Sequence, residues 1–126
     1  MSKIIIIISA ALISISSYSF LINNNHAIYG TWISEDDPKV SWVFSEPNKV
    51  NQYYDGVAGD EYNFRLSDTS PQCGNQVQTG EFITFLELTD TTSGEQMCYY
   101  FNGVSETHLS LSFFDRGGTM VFDRVN

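Results

Sequence analysis

Basic residues are scarce in this chain: 6 Lys+Arg stand against 15 Asp+Glu, for a formal net charge of -9. A surface of that sign repels phosphate backbones and anionic headgroups. It therefore excludes nucleic acid and acidic membrane as natural partners. Cysteine is nearly absent too. Cys73 and Cys98 are the only two, and neither His26 nor His108 has a Cys or His at ligand spacing. No metal and no cofactor are expected. Catalytic patterns are missing as well. There is no Gly-x-Ser-x-Gly, and neither histidine stands beside a nucleophile that it could activate. His26 lies in a polar leader, and His108 alternates with Leu109 and Leu111, so it is read as facing solvent or the opposite sheet face. Helical periodicity is lacking: no stretch keeps its apolar positions at a spacing of roughly 3.6 residues over several turns.

The carboxylates that are present gather where turns want them for local hydrogen bonds, at Glu35-Asp36-Asp37, Asp60-Glu61 and Asp90. Glu35-Asp36-Asp37 lacks the Asp-x-Asp-x-Asp-Gly order of a calcium loop. No spacing indicates two carboxylates converging in a cleft, as a glycosidase needs. The chain is expected not to be an enzyme.

One long apolar run exists, at the start. Lys3 precedes residues 4–15, which are almost entirely Ile, Leu and Ala, and Ser17-Tyr18-Ser19 follows with small residues at the positions a signal peptidase reads. Residues 1–19 are expected to be a signal peptide cut after Ser19, residues 20–28 a leader rich in asparagine, and residues 29–126 a single domain. The rival reading is a membrane anchor. Against it, a spanning helix needs roughly 20 apolar residues, serines interrupt this run from Ser14 onward, and no Lys/Arg cluster follows it. No cysteine sits near the end of the run, which argues against a lipid-anchored form. Export places the protein in the periplasm or outside the cell, with no stable membrane insertion after cleavage. In that setting Cys73 and Cys98 are expected to pair. The closed loop of about 26 residues would stabilise the fold by roughly 3.5 kcal/mol. Two free buried thiols remain the alternative.

The rest of the chain reads as β structure. Aromatic and β-branched residues alternate with polar ones, and Gly, Pro, Asn or Asp break the runs. Strands are expected at 29–34, 39–45, 49–55, 60–67, 81–88, 95–101, 106–114 and 119–125. The clearest alternation sets Tyr62, Phe64 and Leu66 against Glu61, Asn63 and Arg65. The longest break is 68–80, with Pro71, Cys73 and Gly74. Short links favour sequential neighbours, and a meander of eight strands tends to close because closure removes both exposed edges. The fold class expected is all-β: a small eight-stranded antiparallel up-and-down barrel with one disulfide.

Gly30-Thr31-Trp32 on the first strand and Phe122-Asp123-Arg124 on the last resemble the lipocalin (calycin) pattern. With Gly30-Thr31-Trp32-Ile33-Ser34, Ser70-Pro71-Gln72-Cys73-Gly74 and Leu109-Ser110-Leu111-Ser112, the chain is similar to short exported lipocalin-like domain proteins of Bacteroidetes-type bacteria. The resemblance implies a lipocalin-like barrel in which Arg124 packs over Trp32 at the closed end. A cation over an indole face is a favourable contact. Two departures stand out: no helical pattern follows the last strand, and Thr89-Asp90-Thr91 is only a faint echo of the family's Thr-Asp-Tyr.

Aromatic residues make up 14% of the chain, and enough of them fall on inward positions to line a pocket. Trp42, Phe44, Tyr62, Phe64, Tyr99 and Phe101 are the expected ligand-binding residues; Phe82 and Phe113 also fall on expected inward faces. The competing role for all of them is to fill the core, since an eight-stranded barrel has room only for side chains or one small ligand. Tyr53, Tyr54 and Tyr100 are expected to face outward. The function expected is non-enzymatic binding of a small hydrophobic molecule. The alternative is a protein-binding module, such as an inhibitor or immunity protein, for which an acidic surface and outward tyrosines suit a basic partner.

Overall fold

The computed structural model describes residues 27–126. The expected signal peptide, His26 and all of the leader but its last two residues lie outside them. Eight strands follow: β1 (Gly30–Ser34), β2 (Val40–Ser45), β3 (Lys49–Tyr54), β4 (Val57–Ser67), β5 (Thr84–Asp90), β6 (Gln96–Val104), β7 (His108–Phe113) and β8 (Thr119–Arg124). Each pairs antiparallel with the next, and β8 returns to β1 to close a barrel. The closing ladder is the shortest, with Trp32↔Arg124, Ile33↔Asp123 and Ser34↔Phe122.

Three boundaries differ by three residues from those expected, each for a local reason, and the others by two residues at most. Asp55-Gly56 is itself the β3–β4 turn. Both residues have positive φ (51° and 78°), the conformation of a two-residue hairpin turn. Strand β4 therefore begins at Val57 instead of Asp60, with a bulge opposite Gln52 that takes up the added length. Asn102-Gly103 looked like a turn but is a bulge inside β6. The register against β7 shifts between Phe101 and Gly103, whose φ of 154° suits glycine, and the strand continues to Val104. Strand β5 starts at Thr84, three residues later than expected. Phe82 keeps the inward parity of Leu86 and Leu88 but lies before the strand, so it projects beyond the wall at 90% exposure and lines nothing.

The interior is one cluster. Trp32, Trp42, Phe44, Val50, Tyr62, Phe64, Leu86, Leu88, Tyr99, Phe101, Leu109, Leu111 and Phe122 are all buried in it. Each large apolar side chain fully withdrawn from water contributes roughly 1.5–3 kcal/mol before entropy is counted. A second, smaller packing unit lies on the outer wall. Phe85 is fully buried yet alternates away from the interior, and it packs on Tyr100 (5.5 Å between centroids) and Phe114 (5.8 Å). The long β4–β5 connection reaches this wall, because Cys73 is bonded to Cys98 on β6. Beside it Gln72 is fully buried and donates to Thr69 O at 2.6 Å and Ser67 Oγ at 3.2 Å.

Candidate functional site

Strand polarity gives the barrel two unlike ends. One carries the start of β1, the β2–β3 turn, the long connection, the β6–β7 turn and the end of β8. The other carries four short hairpin turns. The first end is plugged. Ile28 and Trp32 are fully buried there, and the Trp32 indole N–H donates to Ile28 O at 2.8 Å. The Arg124 guanidinium lies 4.2 Å from the Trp32 ring centroid. It also donates to Tyr29 O at 2.8 Å, to Glu106 O at 2.8 Å and to Ala27 O. A cation over an indole that also satisfies three backbone carbonyls seals this end against water.

The six residues expected to bind a ligand all point inward, but they touch one another more than they touch open space. Trp42 packs against Phe122 (5.0 Å) and Tyr99 (5.9 Å), and Phe44 against Phe64 (5.2 Å, edge to face). Phe44, Phe64 and Phe101 belong to this filled layer. Tyr62 lies nearer the hairpin end and donates to Asp60 Oδ2 at 3.4 Å; burial, with Asp60 adding to it, raises its hydroxyl pKa. Burial raises the Tyr99 hydroxyl pKa as well. Phe113 is half-buried against the cluster, with Arg116 stacked 4.1 Å from its ring centroid.

Open space begins above Trp42. A cleft of about 620 Å³ is walled by β2, β3 and the start of β4. Trp42 and Val40 form its apolar side, Gln52 and Tyr54 stand opposite, and Val57, Asp55 and Asp60 mark the rim. The register accounts for this: Trp42↔Gln52 and Val40↔Tyr54 are cross-strand pairs that share the inner face. Of the expected residues only Trp42 lines this cleft. Tyr99 lines a smaller recess of about 250 Å³ beside the disulfide, with Met97 and Phe113. Tyr54, expected to face outward, instead shares the inner face with Val40, because the two are cross-strand partners. Val57 and Asp60 come from the stretch 56–60 that the sequence marks as a turn at the rim, whereas nothing in the sequence singled out Gln52.

Chemically active groups meet on the outer wall. His108 Nε2 stands 3.1 Å from Asp123 Oδ1 and 3.6 Å from Glu35 Oε2, and Thr107 Oγ1 is 2.7 Å from its Nδ1. The hydrogen bond with Asp123 raises the pKa of Glu35. Among the described residues this is the one group of three His, Cys, Asp or Glu with converging ligand atoms. Of the Glu35-Asp36-Asp37 run only Glu35 takes part. Asp37 is used within the turn, where its Oδ1 accepts from Lys39 N at 3.1 Å. All three residues are exposed, and they line neither of the two recesses described above.

Comparison with protein-family models, with curated proteins and with solved structures found no match for this chain.

Proposed function

We propose that this chain is an exported, non-enzymatic binding domain of lipocalin-like type, which holds a small and partly apolar molecule at the open end of its barrel. The cleft above Trp42 carries the reading: it is a concave, mainly apolar site with a few polar groups at its mouth. The filled layer beneath it limits the ligand to one that lies across the mouth instead of threading the barrel. A flat apolar body over Trp42 with a neutral or cationic head toward Asp60 fits best. The disulfide suits an oxidising compartment, periplasmic or extracellular. No helix among the described residues is long and apolar enough to cross a membrane.

The test is titration with the neutral probe N-phenyl-1-naphthylamine. Saturable emission is expected, with quenching of Trp42 but not of Trp32. Tyr54→Ser combined with Val57→Asp should abolish both signals and leave the fold intact, since these side chains are 55% and 70% exposed. Unchanged probe affinity in that variant would refute the reading. The same exposed pair favours a second one, in which the rim docks a basic protein as an inhibitor or immunity-type module. Native mass spectrometry of protein from its own host separates the two, by a small adduct or a polypeptide partner.

A further inference from the structure

We infer that Glu35, His108 and Asp123 form an open binding site for a divalent transition ion, zinc being the best fit, on the outer seam where the barrel closes. The argument starts from register. His108↔Asp123 are partners across β7 and β8, and Ile33↔Asp123 are partners across β8 and β1. Glu35 lies two residues beyond Ile33 on the same face, and its backbone N–H donates to Val121 O at 2.9 Å. Ligand atoms from β7, from β8 and from the residue just past the end of β1 thus converge on one point of the outer wall, and the backbone bond to Val121 anchors Glu35 to the sheet.

The spacing matches a metal. Ligands about 2.0–2.1 Å from a tetrahedral centre stand about 3.4 Å from one another. The nitrogen-to-carboxylate distances here are 3.1 and 3.6 Å, and all three ligand atoms lie within 4.8 Å of one another. The second imidazole nitrogen is already engaged by Thr107 at 2.7 Å, the outer contact that orients a ligating histidine with Nε2 directed to the ion. Charge points the same way. Two carboxylates face a single imidazole, and among the described residues neither has a Lys or Arg ion pair. Arg124, next in sequence to Asp123, is turned inward onto Trp32 and three carbonyls. One nitrogen and two oxygens select zinc, copper or nickel over calcium, which takes six to eight oxygens. Three protein ligands leave a fourth position for water or an outside donor.

The site shares no residue with the cleft, so it stands or falls separately from the ligand-binding proposal. Its effect would be mechanical: one ion ties β7 and β8 to the chain leaving β1, beside the shortest ladder of the barrel.

Calorimetric titration of the full chain with zinc chloride should show one ion per chain with a micromolar dissociation constant. Cobalt should give the intense visible bands of a tetrahedral complex. A hundredfold excess of zinc over its dissociation constant should raise the melting midpoint by about 10 °C. His108→Ala and Asp123→Asn should each weaken zinc binding at least about tenfold, and His26→Ala should leave it unchanged. These side chains are exposed, so the variants should still fold. Absence of stoichiometric binding, or zinc binding that survives His108→Ala, overturns the proposal.

Discussion

Gly30 owes its identity to Arg124. A Cβ there would lie 2.7 Å from Arg124 Nη1, and its φ of 131° is one that residues with side chains rarely adopt. The glycine of Gly30-Thr31-Trp32 is thus the space through which the guanidinium reaches Tyr29 O and Ala27 O while it covers Trp32. Gly30→Ala should cost about 2–3 kcal/mol, backbone strain and a displaced guanidinium together, read as a lower urea midpoint with an unchanged slope. The tripeptide and a basic residue on the last strand were both visible in the sequence. The reason for the glycine was not, because it depends on an atom 94 positions away in the chain meeting the first strand. The same applies to His108. Its own neighbours gave only strand parity, and its carboxylate partners arrive through the closing ladder.

At the scale of elements, the eight strands and the up-and-down order were legible because alternation and turn residues are local signals. The errors fell where one dipeptide has two uses. Asp55-Gly56 and Asn102-Gly103 carry the same chemistry, yet the first turns the chain and the second bulges it. What separates them is whether partner residues continue on the far side: Val57 pairs back to Tyr54, whereas Gly103 goes on pairing forward with Ser110. The β4–β5 connection was legible only as a break. Its fold onto the outer wall depends on Cys73 bonding Cys98, on the same face where Phe85, whose parity alone would leave it in solvent, is buried against Tyr100 and Phe114. The Cys73→Ser/Cys98→Ser variant should lose roughly 3.5 kcal/mol from the freed loop of about 26 residues. Limited proteolysis should then cut first within residues 68–83, before the strands are attacked. An initial cut in a hairpin turn would mean that the connection is held by something other than the disulfide.

At the scale of the whole molecule, shape and charge act together on anything entering the barrel. One end is sealed by Arg124, Trp32 and Ile28, and the interior is filled to the level of Trp42, so approach is from the hairpin end alone. That end presents Asp55 and Asp60 on a chain whose net charge is -9. Two carboxylates about 6 Å from a bound head group each contribute roughly 0.7 kcal/mol even in water, attractive to a cation and repulsive to an anion. A matched set of naphthyl ligands should therefore bind in the order cationic, neutral, anionic, with about tenfold at each step and about a hundredfold between the extremes at low salt. Surface charges are screened over about 3–4 Å at high ionic strength, so about 0.5 M sodium chloride should collapse most of that difference while the neutral ligand is barely affected. Asp60→Asn divides the cause further. If the mouth carboxylates set the preference, that one change removes a large part of it; if the overall field sets it, the order survives nearly intact. Fluorescence titration at two salt concentrations reads both, and an anionic ligand that binds as tightly as the cation would show that the acidic rim takes no part in recognition.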